Sequence, residues 1–389
     1  MKICAIIAEY NPFHLGHLKH LEYVKRQLNA ERIVVIMSGN FTQRGETAIL
    51  NKFKRAKHAI KAGADMVIEL PTVFATANAE IFAKGACKII NDLGFIDGLC
   101  FGVESGDKES YISLAKLLND ESKEFKKALK TALDSGVSLA KAKYQAVKEV
   151  SGKDYSKLVN SPNNVLGIEY TKALLSLKSN IEIYPMLRLG DHNDTTLKNK
   201  ITSATSIRLA IKNGKKRKIK RNVPKFVYKD IKRYPQSANT LMLGALTTAT
   251  EQDLKKIADC TEGLENRIKA LLKDNKDLDA LVEKISTKRY PQTRIRRIIT
   301  ANLLRIEESL VKECLKEQLY AKVLAVNSNA KHLISDLKKN SSIPVLTRKS
   351  DLENLKKTAN KCFEKDVLAS ELYSLITSEK QNEFFMDLI

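Results

Sequence analysis

The sequence lacks the features that mark membrane-spanning, secreted and metal-stabilised proteins. No apolar run approaches the ~18 residues of a membrane helix, and the apolar stretch at residues 3–8 is too short for a signal peptide. The six cysteines are scattered, without a Cys-x-x-Cys pair or a nearby histidine at metal-ligand spacing. We therefore expect a cytoplasmic protein with reduced thiols, no membrane association and no structural metal.

Acidic residues are also scarce relative to basic ones. The chain has 45 Asp and Glu against 67 Lys and Arg, which gives a net charge of +22. Such an excess serves solubility or attracts a polyanionic partner, because surface cations bind phosphates and release counterions. Apolar residues make up 43% of the 389, enough for buried cores in two domains, or in one large domain with an appendage.

The first half alternates short apolar strands with amphipathic helices, which predicts a doubly wound, Rossmann-like α/β domain over residues 1–214. A helical insertion interrupts it at about 105–170, and a strand at 181–186 and a helix at 206–212 follow. The predicted strands before the insertion cover residues 2–8, 32–37, 66–70 and 98–101, and the predicted helices 16–28, 52–62 and 77–91.

A basic run at residues 215–221, followed by Pro224, marks the predicted domain boundary. Beyond it, residues 215–389 are mainly helical and basic, with a small α/β segment at about 320–348. Since the run carries no acidic residue, we expect this second domain to contact a polyanion.

Two histidines follow the first predicted strand, at a position where ligands bind in α/β sheets. His14, Gly16 and His17 begin the next helix, whose free N–H groups and dipole favour a phosphate. Imidazoles three residues apart face the same way and can donate hydrogen bonds to a phosphate that gains charge. The alternatives are a chance pair and a zinc site, although no third ligand stands at an obvious spacing.

A second anion site is predicted at the helix that begins near residue 203. Hydroxyl side chains at its start and an arginine in its first turn resemble the ISSTxIR motif with which nucleotidylyltransferases hold the β- and γ-phosphates. A serine or threonine cap beside a surface arginine is the simpler alternative. The residues concerned are Ser203, Thr205, Ser206 and Arg208.

Longer blocks resemble one bacterial family, the tRNA(Met) cytidine acetate ligases, within the HIGH-motif nucleotidylyltransferases. The segment EYNPFHLGH begins at Glu9, and further blocks lie in order along the α/β region. These are residues 38–48 (SGNFTQRGETA), 63–71 (GADMVIELP), 101–106 (FGVESG) and 161–170 (SPNNVLGIEY).

The resemblance implies an enzyme that uses ATP, with Mg²⁺ accompanying it, and acetate to form acetyl-adenylate. The acetyl group would then pass to the N4 amine of the wobble cytidine of elongator methionine tRNA. His14 and His17 would be catalytic. Carried over by position, the ATP site would comprise Ile7, Ala8, Glu9, Tyr10, Asn11, Pro12, Phe13, His14, Leu15, Gly16, His17, Leu18, Lys19, His20, Gly102, Asn163, Arg188 and Leu189.

Two further sets of residues leave alternatives open. Arg44 and Glu46 follow the second strand, where Arg44 would hold acetate or the acceptor nucleotide, or the two would pair in a salt bridge. His192, with Asp191 and Asp194, fits a metal site or a polar loop, of which the loop is favoured.

The RNA contact is predicted from basic residues in the second half. A helix that starts near Pro291 carries isoleucines on one face and arginines on another, with Tyr290 beside it for stacking. A solvated surface is the alternative for any one basic run. The predicted RNA-binding residues are Lys215, Lys216, Arg217, Arg289, Arg294 and Arg297.

Two other functions remain open from the residues. A nucleotidylyltransferase that joins AMP to a phosphorylated metabolite would need no RNA and leaves the excess charge unexplained. An RNA-binding protein with an inactive ATP site would not require both phosphate sites to be intact.

Overall fold

The computed structural model of the chain describes residues 1–119, 122–137, 139–159, 161–188, 197, 199–232 and 238–389. Within these residues, eight strands form one mixed sheet. The strands are β1 (Ile3–Ala8), β2 (Arg32–Ser38), β3 (Met66–Leu70), β4 (Gly98–Val103), β5 (Glu182–Leu187), β6 (Ala321–Val326), β7 (Val345–Leu346) and β8 (Asp387–Leu388).

The helices of the described residues surround this sheet and form the second half of the chain. The first ten are α1 (Leu15–Arg26), α2 (Lys52–Lys61), α3 (Thr72–Ala75), α4 (Ala79–Asp92), α5 (Lys108–Asn119), α6 (Lys123–Asp134), α7 (Leu139–Ser151), α8 (Ser156–Val159), α9 (Pro162–Ser176) and α10 (Ala204–Lys212). The others are α11 (Lys225–Asp230), α12 (Asn239–Thr248), α13 (Glu251–Lys256), α14 (Leu264–Leu272), α15 (Leu278–Ile285), α16 (Gln292–Leu303), α17 (Glu308–Lys316), α18 (His332–Asn340) and α19 (Lys357–Thr377), with 3-10 helices at Lys216–Arg221, Ser328–Ala330 and Lys349–Asn354.

The strand order β5-β4-β1-β2-β3 confirms the predicted doubly wound α/β fold. The chain moves from β1 through β2 to β3, and then places β4 on the other side of β1. All four neighbouring pairs along this part of the sheet are parallel. The direction of winding therefore reverses between β1 and β4, and a crevice opens there beyond the carboxyl ends of the strands.

Helices cover both faces of the sheet, which explains why its central strands are continuous apolar runs rather than alternating ones. One core cluster contains Phe82 of α4, Phe101 of β4 and Tyr170 of α9. The other contains Val24 of α1 and Ile207 of α10. The predicted helical insertion is present as α5 to α9, and α9 packs against β4 and α4.

The sheet extends across the predicted domain boundary at residue 214. Strand β6 pairs antiparallel with β3, with Ile68 opposite Val323, and β7 and β8 extend the sheet beyond it. The small α/β segment assigned to the second domain thus belongs to the sheet of the first. The sequence pattern identified the strand, but apolar periodicity does not indicate which sheet a strand joins.

A buried cluster of four charged side chains fixes β6 and the C-terminal segment to the first half. Lys52 on α2 bonds both carboxylate oxygens of Glu69 on β3, at 2.8 and 2.9 Å, and Glu383 at 2.8 Å. Lys322 on β6 contacts the same two carboxylates. With two positive and two negative groups, none of them more than 8% exposed, the charges of the cluster balance.

Substituting Lys322→Met should lower the free energy of unfolding by about 3–5 kcal/mol, because two buried carboxylates then share one cation. The matched control is Lys361→Met, since Lys361 forms a half-exposed pair with Glu313 and should cost less than about 1 kcal/mol. Urea unfolding of the full chain measures both. Equal losses in the two variants would show that the buried cluster does not hold β6 in place.

Candidate active site

A cavity occupies the crevice between the carboxyl ends of β1 and β4. It encloses about 270 Å³, near the lower end of the range for small-molecule sites. Most of the predicted ATP-binding residues line it. These are Ile7, Ala8, Glu9, Tyr10, Asn11, His14, Gly16, His17, Lys19, His20, Gly102, Asn163, Arg188, Ser203, Thr205 and Arg208.

The remaining predicted ATP-binding residues do not line the cavity or lie outside the described part of the chain. Phe13 is fully buried in the core beside α1, and Ser206 is 1% exposed and bonds to Ser203. Pro12, Leu15 and Leu18 also lie outside the lining. Leu189 is among the residues that the structure does not describe, as are Asp191, His192 and Asp194.

His14 and His17 close the N-terminus of α1 in a reciprocal capping arrangement. The Gly16 backbone N–H donates to Nδ1 of His14 at 3.0 Å, and the His14 backbone N–H donates to Nδ1 of His17 at 3.2 Å. Their rings stack with centroids 3.6 Å apart. A Cβ on residue 16 would lie 2.8 Å from Cε1 of His14, so glycine permits the close approach of this ring.

Both histidines are neutral and carry their proton on Nε2. Each Nδ1 accepts a backbone N–H, which leaves Nε2 of a neutral ring as the donor. Burial, followed by the charges of Arg188 and Arg208, lowers the pKa of His14 to about 3. Burial and the neighbouring His14 lower the pKa of His17 well below 6.5. The cavity therefore holds two stacked neutral N–H donors at a helix N-terminus, which suits a phosphate oxygen.

The N-terminus of α10 provides the second predicted phosphate site. Ser203 caps the helix by accepting the Ser206 backbone N–H, and its hydroxyl lies 2.8 Å from that of Ser206. Arg208 donates to the Asn11 carbonyl at 2.8 Å and to the Thr205 hydroxyl at 3.2 Å. Arg208 thereby joins the start of α10 to the turn that precedes α1, and both helix N-termini border one cavity.

Arg188 supplies a third cation on the β4 and β5 side. Its Nη1 lies 3.8 Å from Oε1 of Glu104, the same oxygen that accepts the Asn163 amide. A Cβ on Gly102 would lie 3.1 Å from Cγ of Arg188, so the glycine lets the arginine side chain lie against the strand. Burial lowers the pKa of Arg188, and Glu104 opposes that shift.

Sequence reasoning missed the side chain that organises this edge of the sheet, which is Arg55. Its guanidinium is completely buried and donates to the carbonyl oxygens of Glu9, Ser38 and Gly39, while its Nε donates to that of Leu50. It thus ties the carboxyl ends of β1 and β2 together. A single arginine in the amphipathic helix α2 carries no sequence signal of such a role.

Sequence reasoning also missed the apolar wall of the cavity. Phe82, Phe101, Leu166 and Tyr170 line it on the face opposite to α1 and α10. Arg44 lies at the same cavity and is exposed, whereas Glu46 does not line it. One predicted alternative for Arg44 was a salt bridge to Glu46. Both residues are described, and they do not form it.

The structure tests the predicted absence of a metal site and of a membrane helix only over the described residues. Where the chain is described, no three His, Cys, Asp or Glu side chains come together as a metal site. The absence of a structural metal stays a prediction, since three candidate residues fall outside that range. No helix in the described ranges is long and apolar enough to cross a membrane.

Comparison with known proteins identifies the family of this chain. A model of the family described as HIGH Nucleotidyl Transferase matches residues 1–386. The tRNA(Met) cytidine acetate ligase of Caldanaerobacter subterraneus is 38% identical over 390 aligned residues, which cover 96% of this chain and 95% of the relative. That of Clostridium novyi is 37% identical and covers 97% and 96%. The chain belongs to the tRNA(Met) cytidine acetate ligase family.

Solved structures of the tRNA(Met) cytidine acetate ligase family share the whole fold. The ligand-free TmcAL of Thermotoga maritima matches with a TM-score of 0.94 at 28% identity and covers 100% of both chains. TmcAL of the same organism bound with alpha-thio ATP matches with a TM-score of 0.92 at 27% identity, again over 100% of both chains. The resemblance inferred from the sequence blocks is confirmed.

The structure corrects the predicted RNA-contacting face of α16. The Arg294 and Arg297 side chains are only 17% and 16% exposed, and both pair with Asp259 at 3.4 Å. The Thr300 hydroxyl on the same helix donates to the Gly45 carbonyl at 2.9 Å, and a Cβ on Gly45 would lie 2.5 Å from the Arg296 backbone. Helix α16 therefore supports the loop after β2 instead of presenting these two arginines to solvent.

The other predicted RNA-binding residues are accessible. Lys215 and Arg217 are exposed, Lys216 lies over the Tyr228 ring, and Arg289 is 68% exposed beside Glu262. Lys216 and Arg217 belong to the 3-10 helix that follows α10. Because the Asn222 carbonyl at the end of this helix accepts the Leu15 backbone N–H, the basic segment lies next to the start of α1.

We expect the capping histidines to remain neutral, with the proton on Nε2, from pH 5 to pH 8. Their folded-state pKa values are lowered from 6.5, so their contribution to stability is present above pH 6.5 and is lost as the pH falls toward about 3. Long-range ¹H–¹⁵N spectra of labelled protein, assigned with single-histidine variants, report the tautomer and charge. A His14 ring that titrates near pH 6.5 would contradict this assignment.

Proposed function

We propose that the chain activates acetate with ATP and transfers the acetyl group to the N4 amine of the wobble cytidine of elongator methionine tRNA. The observation that carries the proposal is that the N-termini of α1 and α10 border the same cavity. Two helix N-termini with hydroxyl, imidazole and guanidinium donors suit a triphosphate held from both sides. Family membership then supports acetate and methionine tRNA as the other substrates.

In this mechanism the α1 donors act on the α-phosphate. The Nε2–H groups of His14 and His17 stabilise the charge that develops as acetate attacks, and they need no proton transfer because both rings are already neutral. Ser203, Thr205 and Arg208 hold the outgoing pyrophosphate, with Ser206 bracing the Ser203 hydroxyl. Arg188 holds the nucleotide from the β4 and β5 side.

Magnesium is proposed to enter with the ATP phosphates. Mg²⁺ is commonly held by substrate phosphates, a few carboxylates and water rather than by a dedicated protein cage. The cavity fits this arrangement, because its described lining residues are mostly apolar, polar or cationic and offer no cluster of carboxylates that could form such a cage. The ion would neutralise phosphate charge, while the residues named above orient the nucleotide.

The proposed tRNA contact is the basic segment beside the catalytic helix. Lys215 and Arg217 are exposed close to α1, and a phosphate backbone lying there would bring a nucleotide near the cavity mouth. Arg289 is a further exposed candidate. Arg294 and Arg297 are left out of this surface, since both are largely buried and pair with Asp259. A cytoplasmic location accords with a tRNA substrate.

The direct test incubates the purified protein with ATP, acetate and elongator methionine tRNA. We expect pyrophosphate release that depends on acetate and an acetyl group on one cytidine, detected by mass analysis of tRNA digests. Pyrophosphate release with a phosphorylated metabolite and without tRNA would favour a simple nucleotidylyltransferase. Binding of tRNA without any binding of ATP would favour an RNA-binding protein.

Substituting His17→Gln should lower kcat for pyrophosphate release by about 10²–10³-fold, because one preorganised donor to the α-phosphate is removed. Glutamine at the third helical position preserves the capping acceptor, so the thermal unfolding midpoint should change little. His332→Gln, on the exposed start of α18, is the matched control and should leave kcat unchanged. An unaltered kcat in His17→Gln would remove this residue from the mechanism.

A further inference from the structure

The cavity has a part that the proposed phosphate sites do not use. We call it the annex, and it is formed by Phe82, Phe101, Leu166 and Tyr170. The Phe101 and Tyr170 rings lie 5.6 Å apart, and these two side chains and that of Phe82 are at most 5% exposed. The annex lies on the α4 and α9 face of the sheet, whereas α1 and α10 lie on the other. It is therefore an aromatic, apolar part of the cavity on the opposite face of the sheet from α1 and α10.

Two polar atoms of the cavity lining, one acceptor and one donor, have no hydrogen-bond partner among the described residues. Glu9 stands at the end of β1, and its Oε1 accepts the Gln43 backbone N–H at 2.9 Å. Its other oxygen, Oε2, has no hydrogen bond or ion pair with any described residue. The side-chain Nε2 of Gln43 is buried and also has no partner. Buried polar groups without partners are rare in folded proteins, so a ligand is expected to engage Gln43 Nε2. The half-buried Glu9 carboxylate beside it lines the same cavity and is open to the same ligand.

The loop that carries Gln43 is held firmly at both ends. The Thr42 N–H donates to the Glu46 carbonyl at 3.0 Å, and Thr300 on α16 donates to Gly45. At the other side, Arg55 bonds the Glu9 carbonyl and so fixes the residue that supplies the acceptor. Together with the bond from the Gln43 backbone N–H to Oε1 of Glu9, these contacts keep the acceptor beside the residue that supplies the donor, as recognition of a base edge requires.

This inference rests on the proposed function. We propose that the annex receives the acceptor cytosine. Oε2 of Glu9 would accept a hydrogen bond from the N4 amine, and Nε2 of Gln43 would donate one to N3 or O2 of the ring. Cytosine presents a donor at N4 and acceptors at N3 and O2, which matches a carboxylate beside an amide N–H. Uracil presents an acceptor at position 4, which the Glu9 carboxylate repels. Stacking on aromatic side chains holds single-stranded bases in proteins, and the annex supplies two phenylalanines and a tyrosine.

Glu9 is then a catalytic residue of the second step. The exocyclic amine of cytosine is a poor nucleophile because its lone pair is delocalised into the ring. As the N4–C bond to the acetyl carbonyl carbon forms, Oε2 of Glu9 takes one N4 proton. The bond from that carbon to the AMP phosphate oxygen breaks, and AMP leaves with its electron pair. Glu9 then returns the proton to water.

The test separates the two steps with Glu9→Gln, whose amide oxygen can still accept the Gln43 backbone N–H. Acetate-dependent exchange of pyrophosphate into ATP reports the first step, and transfer of labelled acetate to methionine tRNA reports both. We expect exchange within about threefold of the parent enzyme and a loss of about 10²-fold or more in transfer, in line with a missing general base. Retained exchange also shows that the variant is folded.

Glu46→Gln is the matched control, because Glu46 lies in the same loop region but does not line the cavity. It should alter neither reaction. Transfer by Glu9→Gln at the parent rate would overturn the inference, and so would an equal loss in both reactions, which would assign Glu9 to the acid or to ATP. A parent enzyme without acetate-dependent exchange would overturn the proposed function and the inference with it.

Discussion

Three backbone carbonyl groups at the ends of β1 and β2, and the Leu50 carbonyl just before α2, accept hydrogen bonds from one side chain, that of Arg55. Burying this charge without partners would be very costly, so the arginine enforces the convergence of the two strand ends on α2. The turn before α1, the acceptor Glu9 and the loop of Gln43 all start from these fixed carbonyls. The cavity exists because the sheet winds away from β1 in both directions at this point.

The second half of the chain completes this arrangement. Strand β6 extends the sheet through the buried cluster of Lys52, Glu69, Lys322 and Glu383, and α16 supports the loop after β2 through Thr300. The second half therefore supports the loop that borders the cavity.

Local signals in the sequence predicted most of the fold and the two helix N-termini at which phosphate sites are proposed. The capping pair His14 and His17 and the hydroxyls near Ser203 act within one turn of a helix, so their spacing is visible in the sequence. The errors concern distant partners. Arg294 was assigned to RNA because its partner Asp259 lies 35 residues away, in the turn after α13. The annex was missed because aromatic residues on α4, β4 and α9 look like ordinary core positions.

The central claim is that acetate attacks the α-phosphate of an ATP held between the N-termini of α1 and α10. Acetate labelled with ¹⁸O in both oxygens tests it most directly, with the products of a complete reaction on tRNA analysed by mass spectrometry. The account predicts one ¹⁸O atom in AMP and one in the acetyl group on the cytidine. Unlabelled AMP, or label in inorganic phosphate, would contradict attack at the α-phosphate.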